Sequence, residues 1–275
     1  MLFVALVTAC FVPAIGAAES PSLPIIVYHQ IRDSADGPPD SPEAISLTRF
    51  EAQMRYLHEE GYVTLSVAEV LNVVHGGKPP GARIVAIHFD DGWKSAQLAL
   101  PVLERYGFKA TFWIIAGKGI GWPHMDWEEI QAIGRQPRYD IYSHSMTHPW
   151  KAGDTLLDWM KAHTPGKGPE QVRWELAESR RVLAEKLDRP IPYLAWPAGY
   201  YDAAMIGLAT DSGYVALFTI DPGVNRPGTD PLTLHRTMVH GGCDSRVFMQ
   251  IISDGLYRDC GAVAGLHDNE RDIGK

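Results

Sequence analysis

Two adjacent carboxylates follow an apolar segment in the sequence HFDDGWKS, which spans residues 88–95. The preceding residues 83–87 are typical of a buried strand, so Asp90 and Asp91 are predicted to lie where that strand ends. Adjacent like charges repel each other unless a positive group separates them, and a divalent metal would do so. Asp91 could instead cap the helix predicted to begin near Lys94. A cap would explain one carboxylate and leave the other unexplained.

Two histidines four residues apart form a second chemical signal, in the sequence SHSMTHP at residues 143–149. A helical or tight turn brings imidazoles at this spacing to one side, and neutral histidine is a common ligand of divalent metals. The spacing alone is a weak indication in a chain with 11 histidines. Together with His144 and His148, a carboxylate at another strand end would form a metal site with open coordination positions. Such a site is typical of catalytic metal centres.

Composition and charge narrow the class of protein. The chain has 275 residues, of which 45% are hydrophobic and 21% are charged, as in ordinary globular proteins. No linker or charge block divides the sequence, so one large α/β domain is favoured over two small ones. The formal net charge of −8 and the lack of a basic run in the sequence argue against nucleic acid as the main partner. A neutral or cationic substrate fits this charge better.

The N-terminal sequence predicts export. Residues 1–18 form an apolar run that ends in small residues, which is typical of a secretory signal cleaved after Ala18. The basic residues that usually precede such a run are missing, and Cys10 leaves a bacterial lipoprotein anchor as the alternative. No other segment of the sequence is long and apolar enough to span a bilayer. We therefore expect a secreted or periplasmic protein with no transmembrane segment after signal removal.

Two cysteines, Cys243 and Cys260, remain once the predicted signal is removed. An even pair in an oxidising compartment predicts one disulfide. Two unpaired thiols are the alternative.

Apolar segments alternate with helical patterns along most of the chain. The predicted strands are residues 24–28, 84–89, 110–115, 139–142, 191–196, 214–220 and 232–239. The predicted helices are one opened by a capping box at Thr48 and Glu51 and closed by Gly61, and further helices at 95–106, from 127, 170–187, 202–212 and 246–253. This alternation predicts a parallel sheet with helices outside it. Both a doubly wound sheet and a closed barrel fit the pattern.

In either architecture, ligands gather at the carboxyl ends of the strands. The unusual polar residues follow predicted strands: the carboxylate pair, then His144, then residues 197–199. An irregular insertion at residues 150–168, which includes Trp159, follows the same strand as His144. We expect this insertion to contact the substrate.

Four segments in this order, HFDDGWKS, FKATFWIIAG, SHSMTHP and AWPAGY, resemble the motifs of the polysaccharide deacetylase superfamily, the NodB homology domain of carbohydrate esterase family four. The resemblance extends over about residues 24–239. It implies an α/β fold, a distorted (β/α) barrel of the polysaccharide deacetylase type, for residues 24–275. It also implies a hydrolase that removes N-acetyl groups from a poly-N-acetylglucosamine-like, chitin-like or peptidoglycan polymer.

The resemblance implies a role for each chemical group. Asp91, His144 and His148 would bind one divalent metal ion, with zinc favoured and nickel, cobalt or iron as alternatives. Asp90 would be the general base. The backbone N–H of Ala198 would stabilise the oxyanion.

The segment around Ala198 is also implied in substrate binding. Pro197 and Gly199 belong to the same motif as Ala198, and Trp196 is predicted to contact a sugar because it precedes Pro197.

The chain departs from the family pattern at Ala195, where most members have an arginine that orients the base. Arg236 is predicted to replace that arginine, because the base needs a nearby positive charge. The sequence IIVYH at residues 25–29 resembles the branch that includes the poly-β-1,6-N-acetylglucosamine deacetylases of bacterial envelopes. In that branch the motif with the catalytic histidine lies near the N-terminus. The resemblance therefore implies His29 as the general acid, ahead of His267.

Two other functions fit the same residues. An O-acetyl polysaccharide esterase would use the same metal and base but would need less from the acid, because an alkoxide leaves more easily than an amine. A non-catalytic carbohydrate-binding or export module on the same fold is the second alternative. Ala195 favours it weakly, whereas the intact carboxylate and histidine pairs argue against it.

Overall fold

The computed structural model describes residues 21–33, 43–117 and 120–256. Short strands alternate with helices along these residues. The strands are β1 (Leu23–Tyr28), β2 (Gln30–Arg32), β3 (Ala44–Ser46), β4 (Val63–Thr64), β5 (Ile84–Phe89), β6 (Ala110–Ile114), β7 (Tyr139–Ser143), β8 (Trp150–Lys151), β9 (Asp154–Thr155), β10 (Tyr193–Ala195), β11 (Ala216–Phe218), β12 (Val224–Asn225) and β13 (Thr237–Met238). The helices are α1 (Leu47–Glu59), α2 (Val67–Val74), α3 (Leu100–Tyr106), α4 (Trp127–Gly134), α5 (Leu156–Met160), α6 (Pro169–Leu187), α7 (Ala203–Asp211) and α8 (Ser245–Asp254), and two 3₁₀ turns lie at Lys94–Ala99 and Pro197–Gly199.

The main sheet curls into a distorted barrel, as the resemblance implied. Its strands run in the order β11, β10, β7, β6, β5 and β1, and each neighbouring pair is parallel. The segment that contains β13 joins the two edges of this sheet. The Leu234 N–H donates to the Leu217 carbonyl of β11 (3.0 Å), and the Val239 N–H donates to the Val27 carbonyl of β1 (2.9 Å). The first strand therefore lies between β5 and the last strand.

Aromatic and aliphatic side chains fill the space around β1 and β5, both of which are buried along their whole length. Such strands are apolar throughout because helices cover one face and the core fills the other. The Phe89 ring stacks on Phe112, with centroids 4.9 Å apart. Helix α1 buries Phe50, Met54 and Leu57 against this core, which is the face predicted for it.

The start of α1 differs from the prediction. Ser46 is the N-cap, and its hydroxyl oxygen accepts a hydrogen bond from the Arg49 N–H at 3.3 Å. Thr48 lies exposed within the helix, so the predicted capping box of Thr48 and Glu51 is wrong. Ser46 and Thr48 both carry a hydroxyl and both precede the apolar residues of α1. The helix begins after Ser46 because β3 ends there.

The remaining predicted elements are present with shifted ends, with two exceptions. The first half of the helix predicted at 95–106 is a 3₁₀ turn, and the strand predicted at 232–239 is shorter. The predicted strand at 232–239 is reduced to β13, because Leu234 pairs with Phe218 of β11 whereas Thr237 and Met238 pair with β1. The short strands β2, β3, β4, β12 and the helix α2 were not predicted.

The insertion at residues 150–168 contains a hairpin of β8 and β9 followed by α5. Trp159 is buried there, and its Nε1–H donates to Asp154 Oδ1 at 2.7 Å. The contact of this insertion with substrate stays a prediction.

Several predicted features lie outside the described residues: the signal at residues 1–18 with Cys10, and also Cys260 and His267. Cys243 is buried and disulfide-bonded, and its pairing with Cys260 stays a prediction. Within the described part of the chain, no helix has both the length and the apolarity needed to cross a membrane.

Candidate active site

The strand register brings His29 beside Asp90. Strands β1 and β5 are parallel, and Tyr28 lies opposite Phe89. The residues that follow them, His29 and Asp90, are therefore neighbours. The Asp90 N–H donates to the Tyr28 carbonyl at 2.9 Å. His29 and Asp90 are both buried at the carboxyl end of the sheet, where the sequence predicted the site.

Asp91, His144 and His148 converge on one point at the same rim. Asp91 Oδ1 lies 3.4 Å from the Nε2 atom of His144 and 3.4 Å from the Nε2 atom of His148. One potential ligand atom from each of the three residues lies within 4.8 Å of the others. Asp91 Oδ1 is buried and accepts no hydrogen bond from the described residues. A buried carboxylate oxygen without a hydrogen-bond donor is costly unless it binds a cation, and the two imidazoles beside it are common metal ligands.

A backbone contact orients His144 for this purpose. Its Nδ1 lies 2.9 Å from the Ala195 carbonyl oxygen. A carbonyl only accepts hydrogen bonds, so Nδ1 carries a proton and Nε2 is the ring nitrogen that faces Asp91. Metal-binding histidines commonly have this arrangement, in which the second ring nitrogen donates to a backbone carbonyl.

Asp91 is held by Trp93 and does not cap a helix. The Trp93 Nε1–H donates to Asp91 Oδ2 at 3.0 Å, which leaves Oδ1 toward the histidines. The 3₁₀ turn that follows has Trp93 at its N-cap and no side-chain hydrogen bond there. The helix-cap alternative for Asp91 is therefore wrong. The Trp93 ring also stacks on His124, with centroids 4.3 Å apart.

Asp90 forms a buried ion pair with Arg236. Nη1 and Nη2 of Arg236 donate to Oδ1 and Oδ2 of Asp90 at 2.7 and 2.9 Å. Arg236 has no exposed surface, its Nε–H donates to the Thr219 carbonyl at 2.7 Å, and its guanidinium carbon lies 5.8 Å from the Trp113 ring centroid. The guanidinium thus lies beside the carboxylate, as the charge argument expected, while Ala195 lies buried in β10.

The charges at the rim shift the pKa values of the site in different directions. Burial alone would raise the pKa of Asp90, but Arg236 and the nearby His144 lower it to about 2. Burial also opposes the ionisation of Asp91, but the adjacent imidazoles lower its pKa. Burial lowers the pKa of His148 to about 4, whereas the two carboxylates outweigh burial and raise the pKa of His144. His29 is among the nearby charges that lower the pKa of both carboxyl groups.

Backbone strain is concentrated at this rim. Asp91, Ser145, His148 and Ala198 have φ values of 70°, 66°, 51° and 51°, which non-glycine residues rarely adopt. Such residues are often found at functional sites, where the surrounding contacts hold them in place.

The segment of the third motif turns sharply after β10. Gly199 has φ of 69°, and a Cβ there would lie 2.0 Å from Ile220 Cγ1, so only glycine fits. Ala198 precedes it in the 3₁₀ turn, with Pro197 buried at the start.

Trp196 does not lie on the substrate side of this motif. Its side chain has no exposed surface, and its ring stacks parallel to Tyr201 with centroids 6.1 Å apart. The predicted contact of Trp196 with a sugar is therefore wrong. The residue before the proline belongs to the end of a buried strand, and its side chain packs inward.

His88 also lies in the interior. It accepts a hydrogen bond from Trp113 Nε1 at 3.1 Å on its Nδ1. Burial and the nearby Arg236 lower its pKa well below the usual value for histidine, so the ring is neutral.

Sequence reasoning missed a buried carboxylate near the site. It also did not single out two exposed tryptophans, of which Trp150 begins the insertion predicted to contact the substrate. Glu175 of α6 accepts hydrogen bonds from the loop between His144 and His148. Trp122 is 87% exposed and Trp150 is 62% exposed. The signal for the tryptophans was available, since they follow β6 and β7 in the chain, but exposure cannot be read from the sequence.

The comparison with known proteins identifies the family. A sequence model of the family named polysaccharide deacetylase matches residues 77–217. YxkH of Bacillus subtilis strain 168, which is named for the same family, is 31% identical over 232 residues, or 84% of this chain and 76% of YxkH. This chain belongs to the polysaccharide deacetylase family. As a member of this family, the protein is a polysaccharide deacetylase and thus a hydrolase.

One further sequence match and two solved structures with the same fold are more distant. The poly-β-1,6-N-acetyl-D-glucosamine N-deacetylase of Escherichia coli K12 is 21% identical over 72% of this chain, which spans 34% of that protein. The deacetylase PplD of Streptococcus pyogenes, solved in complex with acetate, superposes with a TM-score of 0.71 at 22% identity over 85% of this chain and 99% of PplD. IcaB from Ammonifex degensii superposes with a TM-score of 0.70 at 25% identity over 84% of this chain and 96% of IcaB.

The pair of Asp90 and Arg236 should dominate the local stability of this deacetylase. Arg236→Ala leaves a buried carboxylate without its partner, so we expect the free energy of unfolding to fall by about 3–5 kcal/mol at neutral pH. Asp90→Asn in the same chain should recover part of this loss.

The pKa of Asp90 is lowered from 3.8 to about 2, so the stabilisation is complete above about pH 4 and is lost as the pH falls toward 2. Urea denaturation with a chelator present would measure each value. An Arg236→Ala variant as stable as the wild type would contradict the ion pair.

Proposed function

We propose that this deacetylase is a metal-dependent N-deacetylase of an amino-sugar polysaccharide, with zinc as its metal. The observation that carries the proposal is the convergence of three ligand groups, Asp91, His144 and His148, beside an ionised and fixed carboxylate, Asp90. Two imidazoles and one carboxylate suit zinc, and also nickel, cobalt or iron.

Asp91 Oδ1 and the Nε2 atoms of His144 and His148 would hold the metal. When bound, the cation would supply Lewis-acid polarisation of the acetyl carbonyl and would lower the pKa of water at the site. The orphaned Asp91 Oδ1 and the fixed tautomer of His144 support this assignment.

Asp90 would act as the general base that removes a proton from the attacking water. Arg236 keeps the carboxylate ionised and fixes its plane through two hydrogen bonds, so the group is ready to accept a proton at neutral pH. Each carboxylate oxygen has a second lone pair for this purpose.

His29 would protonate the amine as it leaves. It is buried next to Asp90 in the register of β1 and β5, and its charge affects the pKa of both carboxyl groups. The backbone N–H of Ala198 would donate to the oxyanion. The strained turn at Ala198 and the space kept clear by Gly199 support that role, with Pro197 as the start of the turn.

An N-acetyl substrate is favoured over an O-acetyl one. An amine is a poorer leaving group than an alcohol, and a histidine held beside the base is the group that amide cleavage requires. The relatives include a protein named poly-β-1,6-N-acetyl-D-glucosamine N-deacetylase. We therefore take a polymer of N-acetylglucosamine type as the substrate and an O-acetyl polysaccharide esterase as the alternative.

Exposed tryptophans near the rim would bind the polymer beyond the reacting sugar. The loop with Trp122 is tied to the site, because the Lys94 N–H donates to the Pro123 carbonyl (3.1 Å) and the His124 ring stacks on Trp93. A flat, exposed indole provides an apolar face for a pyranose ring. Trp150 lies two residues after His148 and is the second such ring.

Two further proposals concern the whole chain. We take residues 24–275 as one deacetylase domain and residues 1–18 as a signal that directs it to the periplasm or the exterior. Both rest on the sequence alone, and Cys10 keeps the lipoprotein anchor as an alternative.

The metal assignment predicts that chelation abolishes acetate release from poly-β-1,6-N-acetylglucosamine and chitin oligomers, and that added zinc restores it. Asp91→Ala combined with His148→Ala should remove stoichiometric metal, measured by elemental analysis, because two of three ligands are lost. His163→Ala is the control, since this histidine lies on the surface with its side chain 63% exposed. A stoichiometric metal that survives in the double variant would refute the assignment.

The role of His29 predicts a contrast between two substrates. His29→Ala should keep the fold and the metal, yet should lower turnover on N-acetyl substrates by roughly 10²–10⁴-fold, the usual contribution of acid catalysis. The loss should be smaller on an activated O-acetyl ester, whose leaving group hardly needs a proton. Steady-state kinetics on both substrates would measure the contrast. If His267→Ala abolishes deacetylation and His29→Ala is nearly silent, the general acid is His267.

The polymer contact predicts a dependence on chain length. Trp122→Ala should lower kcat/KM on long oligomers by about fivefold, since a stacked ring contributes on the order of 1 kcal/mol, and should leave a small acetyl ester unaffected. Trp174→Ala is the matched control, because Trp174 is 50% exposed but lies on the outer side of α6. Equal losses for both variants, or a loss on the small ester, would argue against the contact.

A further inference from the structure

Glu175 is a buried carboxylate that holds the loop between the two histidines. It lies on α6 with no exposed surface. Its Oε2 accepts hydrogen bonds from the backbone N–H groups of Met146 (2.9 Å) and Thr147 (2.8 Å). Its Oε1 accepts a hydrogen bond from the hydroxyl of Thr147. The carboxylate thus has three donors, and all of them come from this loop.

These contacts compensate the charge of Glu175 without a cation. No lysine or arginine in the described part of the chain forms an ion pair with Glu175. A buried carboxylate is costly unless it is fully hydrogen-bonded, and bonds to an ionised acceptor are stronger than neutral ones. The backbone of the loop is therefore bound firmly to α6.

The loop needs such an anchor, because its conformation is strained at both ends. Ser145 and His148 have φ values of 66° and 51°. The His148 N–H donates to the Ser145 hydroxyl oxygen at 3.2 Å, which is a weaker restraint. Strained residues of this kind persist only where neighbouring contacts determine the conformation. The bonds to Glu175 fall on the two residues directly before His148.

We propose that Glu175 is a positioning residue for the metal site, which places His148 Nε2 at its distance from Asp91 Oδ1. The inference rests on the proposed metal site. It assigns to α6 a part in metal binding although no residue of this helix is a ligand. Residues behind the ligands commonly control metal affinity in this way, and their loss typically costs 10–100-fold.

Metal affinity of the metal-free protein tests the proposal without reference to activity. The protein would be stripped with a chelator, and zinc would then be titrated in competition with a chromophoric chelator. Glu175→Ala should weaken zinc binding by about 10–100-fold. Glu175→Gln should bind zinc nearly as well as the wild type, because one amide oxygen can accept both N–H groups while the amide nitrogen faces the Thr147 hydroxyl.

The control separates positioning from general stability. Leu183→Ala also removes a fully buried side chain from α6, two turns further along, and should lower the thermal stability of the metal-free protein without changing its zinc affinity. Deacetylation by Glu175→Ala should recover at saturating zinc, since the catalytic groups remain. If Glu175→Ala does not fold, Thr147→Val removes one of the three bonds and should show a smaller loss of affinity.

Any of three results would overturn the proposal. Glu175→Ala could bind zinc as tightly as the wild type, Leu183→Ala could lose as much zinc affinity as Glu175→Ala, or Glu175→Gln could bind zinc as weakly as Glu175→Ala. Failure of the proposed function looks different, because the wild type itself would then bind no stoichiometric metal.

Discussion

The structure of the site depends on how two adjacent buried carboxylates are kept ionised. Asp90 and Asp91 emerge together from β5, and their mutual repulsion and burial would otherwise force one of them to be protonated. The two charges are compensated in different ways. Arg236 forms a permanent, bidentate pair with Asp90. Asp91 accepts a hydrogen bond from Trp93 on Oδ2, whereas its Oδ1 faces two imidazoles and has no hydrogen bond from the described residues. One carboxylate is therefore fixed as an anion by the protein, and the other is left available for a cation from outside.

The curled sheet brings these compensating groups together from distant parts of the chain. Arg236 comes from the segment that bridges β11 and β1, and His29 follows β1, which pairs with both β5 and β13. A residue next to the first strand and a residue next to the last strand thus lie at the same rim as Asp90. This neighbourhood is compatible with the proposed role of His29, because the first and last strands of the sheet adjoin in space.

The sequence predicts this site well where the chemistry is local and poorly where packing decides. Strand periodicity located the strand before Asp90, and the spacing of His144 and His148 predicted their convergence, because both depend on a few neighbouring residues. The capping box at Thr48 was wrong, because the end of β3 selects a different hydroxyl, that of Ser46. The inward orientation of Trp196 and the anchoring of the histidine loop by Glu175 could not be predicted. Both depend on contacts between segments far apart in the sequence.

Ala195 shows that the charge, and not the position of the residue that carries it, is what the site requires. Most family members have an arginine there, and its loss could suggest an inactive descendant. In this chain the same strand end still contributes to the site, because the Ala195 carbonyl orients His144. The missing guanidinium is supplied by Arg236, fully buried against Trp113 and bonded to the Thr219 carbonyl. A buried arginine is costly unless a carboxylate pairs with it, so Arg236 and Asp90 each supply the partner that the other needs. In this chain the positive charge beside Asp90 therefore comes from Arg236 and not from position 195.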